Sequence, residues 1–85
     1  MKSSHDLNAD LGVVVAERRA ELGNSREKLA LISGLDRTFV GKIESGMHSP
    51  SLNSLFNLSE GLQLAPEELV RRVHERSCRR RSPSS

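Results

Sequence analysis

Apolar residues fall along this chain in five short clusters at three- and four-residue spacing, separated by glycine, serine and proline. That spacing places side chains on one face of a helix. Leu7, Leu11, Val14, Val15 and Leu22 predict a first helix over about Leu7 to Leu22, stopped by Gly23. A second starts at Ser25, a hydroxyl N-cap with Glu27 in the first turn. Leu29, Ala30 and Ile32 supply its inner face, and Gly34 ends it, where left-handed backbone costs glycine nothing. The third opens at Asp36 and runs to about Ser45, with Val40 and Ile43 pointing inward and Gly46 closing it. Met47-His48-Ser49-Pro50 is a loop, since Pro50 keeps Ser49 extended. Ser51 caps a fourth helix from Leu52 to about Gly61, with a stripe of Leu52, Leu55, Phe56, Leu58 and Leu62. The fifth opens at Pro66, with Glu67 and Glu68 near the positive end of its dipole and Leu69, Val70 and Val73 along an apolar edge.

This pattern gives an all-α fold, a compact five-helix bundle, and composition narrows it further. The chain has 85 residues, enough for one small domain. Two Phe and no Trp or Tyr argue against a β-sandwich and against platforms that stack single-stranded bases on rings. A single cysteine, Cys78, excludes a disulfide within the chain and suits a reducing, cytoplasmic setting. No apolar run approaches the roughly 20 residues of a membrane helix, and the polar start, Met1 to Asp6, has no apolar segment of a secretory leader behind it. Residues 1–6 read as a disordered N-terminus, 7–76 as the domain and 77–85 as a basic, polar tail.

The formal charge of +2 is unevenly spread. Residues 71–81 hold six arginines against Glu75, a net of +5, whereas residues 1–70 hold seven basic and ten acidic side chains, a net of −3. Whole-chain charge is therefore weak support for a nucleic-acid partner.

The informative stretch is residues 25–45. Two short helices meet at a tight turn, with small Ala30 allowing a close crossing and Gly34 permitting the reversal. These proportions fit a helix-turn-helix, whose second helix lies in the major groove of DNA. Leu29-Ala30 in the first of the two helices, Gly34 at the turn, Ile43-Glu44-Ser45-Gly46 ending the second, and then Pro50-Ser51-Leu52 together resemble the phage-repressor, or Cro-type, lambda-repressor-like family. The likeness covers about residues 11–70. That family includes phage repressors, restriction-modification controller proteins and antitoxin-type regulators.

The resemblance implies a sequence-specific regulator of transcription, binding a near-palindromic double-stranded operator as a homodimer. Arg37, Thr38 and Lys42 fall on positions that typically face bases, with Gly41 letting the backbone approach. Arg26 replaces the usual glutamine of the second helix, so a charge contact with phosphate is expected in place of a bracing amide. Glu44 matches an acidic residue that typically pairs with an arginine of the first helix, here Arg19. Arg18 falls where the family is usually apolar and Leu22 where it is usually polar, so the first helix is expected to be rotated slightly.

The chemistry of the residues agrees. With Val40 and Ile43 inward, positions 37, 38, 41, 42 and 45 project outward. Arg37 can fork onto guanine O6 and N7, Lys42 can reach guanine or phosphate, and Thr38 can touch a thymine methyl. Ser25, Arg26 and Ser45, and across the backbone His48, Ser49 and Asn53, are candidate phosphate contacts, helped by the free N–H groups opening the second helix. Charges on an arbitrary helix face are usually just solvated; the helix-turn-helix spacing reverses that reading here. Leu69, Val70 and Val73 form the expected dimer seam, with Leu69 partly buried. Recognition helices about 34 Å apart would then enter successive major grooves.

Arg79-Arg80-Arg81 reads first as a solvated tail and second as an arm on the DNA backbone. His74 and Cys78, four apart, could share a metal, but zinc wants three or four ligands, so no metal and no cofactor is expected. No nucleophile–base constellation or phosphate loop is present, and the chain is not expected to be an enzyme. The alternative function is a protein-interaction module or antitoxin on the same fold, motivated by the acidic balance of residues 1–70.

Overall fold

The computed structural model describes residues 4–81, so residues 1–3 and 82–85 of the two polar ends lie outside the described residues. Five helices follow one another: α1 (Ser4–Glu21), α2 (Arg26–Ser33), α3 (Arg37–Glu44), α4 (Leu52–Gly61) and α5 (Pro66–Arg81). The described residues contain no strand.

Local chemistry sets the boundaries. Ser25 accepts a hydrogen bond from the Lys28 N–H at 3.0 Å, Asp36 from Thr38 at 3.3 Å and Ser51 from Ser54 at 3.1 Å. Each cap satisfies a backbone donor that the first helical turn leaves without a partner. Gly34 takes φ 69° and ψ 27°, so its N–H and that of Leu35 fold back onto carbonyls of α2 and turn the chain into α3.

Packing places α1 against α3 and α5, α2 against α3 and α4, and α4 against α5. Val15, Leu29, Val40, Ile43, Leu58, Leu62 and Leu69 are fully buried, with Leu11, Val14 and Ala30 beside them. The α1–α3 approach is especially close: a Cβ on Gly12 would lie 2.5 Å from the Glu44 carbonyl oxygen and 2.6 Å from that of Ile43.

Several apolar positions expected inside are outside. Leu7, Ile32, Leu52 and Phe56 are exposed, and Ser33 takes the inward place on α2 instead of Ile32. An eight-residue helix wedged between α3 and α4 buries 29, 30 and 33, and residue 32 falls off that arc.

Both terminal helices run further than the hydrophobic pattern suggests: residues 4–6, expected in a disordered arm, are helical in α1, and residues 77–81, expected in the tail, are helical in α5. The end of α5 is held by Asp10, whose side chain is 2% exposed. A buried carboxylate needs partners, and Arg80 supplies a fork, Nε at 3.1 Å and Nη2 at 2.6 Å, with Arg76 Nε 3.5 Å away. Ser77 is buried next to this contact, its hydroxyl donating to the His74 carbonyl. Arg71 and Arg72 are engaged within α5, both on Glu68 and Arg71 also on Glu75. Much of the basic charge of residues 71–81 is thus spent on fastening α5 to itself and to α1. No helix among the described residues is long and apolar enough to cross a membrane.

Candidate nucleic-acid interface

Helix α3 presents its outer face because Val40 and Ile43 are drawn fully into the core. Arg37, Thr38, Lys42 and Ser45 are exposed and Gly41 is half-buried, on one continuous surface. The cap on Asp36 and the αL turn at Gly34 fix where that face begins.

The far end of α3 is held by Glu44. Its carboxylate is 4% exposed and lies between two arginines. Arg19 of α1 donates from Nε to Oε2 at 2.6 Å and from Nη2 to Oε1 at 3.1 Å. Arg26, opening α2, donates from Nε to Oε1 at 2.9 Å. Arg19 also donates to the Asn24 carbonyl at 2.9 Å, tying in the loop between α1 and α2. Burial pushes the Glu44 carboxyl up; the hydrogen bonds from Arg19 and Arg26 outweigh it and leave the group below its ordinary value. The hydrogen bond to Glu44 in turn raises Arg19. Three helices therefore converge on one ionised carboxylate beneath the recognition surface.

The other candidate residues divide by what their side chains already do. Arg26 is more than half exposed while paired to Glu44, so the charge contact expected with phosphate shares its guanidinium with an internal brace. Ser25 accepts at the α2 cap through its hydroxyl oxygen and keeps its own proton for an outside acceptor. The Ser45 hydroxyl instead donates to the Lys42 carbonyl at 3.0 Å, turned onto its own helix. His48 is exposed, its ring tilted 60° against Phe39 at 5.7 Å, and Ser49 and Asn53 are exposed beside it. Phe39 packs against the core from the edge of the reading face.

For two residues named from the sequence, spacing did not reveal the partner. Arg18, expected to mark a rotated α1, donates from Nε to the Leu62 carbonyl at 2.9 Å and from Nη2 to that of Gln63 at 3.4 Å. It closes the C-terminal end of α4, where Gln63 has a φ of 57°. Glu27 of α2 places Oε2 2.9 Å from Arg37 Nε. Both are partners across loops, which spacing along one helix does not reveal.

The seam residues separate. Leu69 is fully buried within the chain and cannot face a second copy, because α5 turns it into the same core as Leu58 and Leu62. Val73 is half-buried and Val70 exposed. Val70 joins exposed Leu52 and Phe56, half-buried Leu55 and Pro66 around a shallow apolar groove between α4 and α5. On the outer side of α5, Cys78 Sγ lies 3.6 Å from His74 Nε2; among the described residues no group of three metal-ligating side chains forms.

The chain has solved structural relatives and no match among curated proteins. The restriction-modification controller protein C.AhdI from Aeromonas hydrophila is 39% identical over 73% of this chain and 94% of its own, with a TM-score of 0.71. The controller protein C.Esp1396I, solved as a tetramer in complex with its natural 35 base-pair operator, is 29% identical over 80% of this chain and 95% of its own, TM-score 0.69. The clp gene regulator ClgR from Corynebacterium glutamicum shares the fold at TM-score 0.81 and 19% identity, over 87% of this chain and 79% of its own. A helix-turn-helix family model matches residues 15–69, which span α2, α3, α4, the second part of α1 and the start of α5. The chain belongs to the helix-turn-helix family of Cro/C1 type.

Proposed function

We propose that this chain is a sequence-specific, double-stranded DNA-binding regulator of transcription, of the restriction-modification controller kind, acting as a homodimer on a near-palindromic operator. The observation that carries the reading is the outward face of α3: Arg37, Thr38 and Lys42 lie on a helix locked at one end by the Asp36 cap and at the other by the Glu44 brace. Readout needs that rigidity, since base contacts work only if side chains arrive in register with base edges. The likeness to controller proteins, one of them solved on its operator, supports the same reading.

Arg37 and Lys42 address bases, with Gly41 keeping the surface between them low. Arg26, Ser25 and the first N–H groups of α2 address a phosphate on one side; His48, Ser49 and Asn53 address one on the other. Ser45 contributes its place on the surface more than its hydroxyl. The dimer forms through the apolar groove of Val70, Leu52, Leu55 and Phe56, with Val73 in the neighbouring groove that shares Leu55 and Val70.

The test is selection of duplex DNA from a random pool, followed by titration of the enriched sequence at two salt concentrations with wild type and Arg37→Ala. An enriched palindrome, binding that weakens steeply with salt, and its loss in Arg37→Ala support the reading. A protein that enriches no sequence and shows no salt-dependent DNA binding sinks it in favour of a protein-interaction module.

A further inference from the structure

Glu27 sits beside the reading face with no part in reading. It is the second residue of α2, and Oε2 lies 2.9 Å from Nε of Arg37, with side chains 63% and 65% exposed. A carboxylate here is electrostatically adverse to a polyanion. The helix dipole favours a carboxylate in the first turn of α2, but that does not require Arg37 as its partner, and an exposed ion pair adds little to stability.

The geometry at the guanidinium is more informative. Arginine carries five N–H donors in a fixed fork, with a side edge at Nε and an end edge across Nη1 and Nη2. Glu27 makes its nearest approach at Nε, as an ion pair and not as a hydrogen bond, and Nη1 and Nη2 form no hydrogen bond among the described residues. The end edge is therefore open, and one edge is what a bidentate contact to guanine O6 and N7 requires. Arg26, which opens α2 and could otherwise reach toward the start of α3, is turned the opposite way, onto Glu44.

We propose that Glu27 is a positioning residue for base readout: it holds Arg37 along its Nε edge, so that the end edge meets a guanine and stray phosphate contacts are disfavoured. This rests on the reading of the chain as an operator-binding protein. A base contact through the end edge keeps the Glu27 pair, whereas a phosphate contact through the side edge has to displace it. Glu27 therefore weakens binding to unrelated DNA more than binding to the operator.

The test uses the duplex enriched by wild type, the same duplex with each G·C pair exchanged in turn for A·T, and an unrelated duplex. Wild type, Glu27→Gln, Glu27→Asp, Arg37→Ala and the double variant Glu27→Gln/Arg37→Ala are titrated on each. Wild type discriminates by about 5- to 150-fold at the guanine read by Arg37. Glu27→Gln binds unrelated DNA several-fold tighter, with a salt slope steeper by about 0.9 for one added phosphate contact, and its discrimination at that guanine falls several-fold. Glu27→Asp, which keeps the charge but withdraws it by one methylene, keeps the low unrelated affinity and loses part of the discrimination. In the Arg37→Ala background Glu27→Gln no longer changes base preference, and unfolding midpoints of all variants stay close to wild type.

Full discrimination in Glu27→Gln overturns the positioning role while leaving operator binding intact. A change of base preference by Glu27→Gln that persists without Arg37 overturns it as well. If wild type enriches no sequence, the operator reading fails and this inference with it.

Discussion

Removing the Glu44 carboxylate is the most direct way to ask whether the recognition helix is held as the geometry implies. Glu44→Ala leaves Arg19 and Arg26 without their shared partner. Removing one member of a fully buried ion pair costs about 3–5 kcal/mol. Here the arginine side chains keep 18% and 55% of their exposure, so water recovers part of the loss and about 2–3 kcal/mol is expected. For a domain of this size that lowers the unfolding midpoint by roughly 8–24 °C, out of a total stability of about 5–15 kcal/mol. Glu44→Gln keeps an acceptor without charge and costs less, about 1–2 kcal/mol.

The pH dependence provides an internal control. Despite burial, the hydrogen bonds from Arg19 and Arg26 hold the Glu44 carboxyl below its ordinary value in the folded state. A carboxyl depressed on folding stabilises the protein fully above its unfolded value, about 4.3, and that stability is lost as pH falls through the folded value. Urea unfolding of wild type and Glu44→Gln should differ most at neutral pH and converge on the acid side. A neutral-pH difference within about 0.5 kcal/mol, the range of ordinary surface substitutions, or a gap that widens on acidification, would refute the brace.

Four other substitutions probe separate links. Gly12→Ala sets a methyl against the backbone carbonyls of Ile43 and Glu44; overpacking of this kind costs about 1–3 kcal/mol, and thermal melts should show the loss together with weaker operator binding, because α3 is pushed outward. Arg37→Ala should lose about 1–3 kcal/mol of discrimination at one base pair while its midpoint stays near wild type, and Lys42→Ala should lower operator affinity, also without destabilising; melting and titration of the same samples separate the two effects. Val70→Glu places charge in the apolar groove beside Leu52 and Phe56 and should shift sedimentation from dimer to monomer with the monomer still folded, whereas an unchanged dimer would move the interface elsewhere.

Helix positions were legible wherever the signal is local. Ser25, Asp36 and Ser51 cap the helices they were expected to cap, because an N-cap bonds to donors two or three residues away. Gly34 turns the chain for an equally local reason, its left-handed φ. Helix faces were less legible. Leu7, Ile32, Leu52 and Phe56 match helical spacing yet are exposed, since a short helix touching two neighbours buries a narrow arc and periodicity does not say where that arc is centred. Leu69 went the opposite way, into the core, for the same reason. The length of α5 was not legible because Asp10 and Arg80, seventy positions apart, hold its end jointly.

Charge was the hardest property to read, because composition counts side chains and not their engagements. The arginine-rich fifth helix has a net charge of +3 against −1 for the rest of the chain, yet Arg71, Arg72, Arg76 and Arg80 all face acids of α5 or α1. The acidic remainder holds the recognition surface, where Lys42 forms no ion pair among the described residues and the two arginines are each tied to one acid. Those ties are unequal in consequence. Glu44 keeps two hydrogen bonds from Arg19 if Arg26 swings out to a phosphate, so the brace of α3 survives release of Arg26. Arg19 is the member that cannot leave, being largely covered and also bonded to Asn24. On the proposed function, a single buried carboxylate thus serves both packing and recognition, with the covered arginine holding the helix and the exposed one left to reach the DNA backbone.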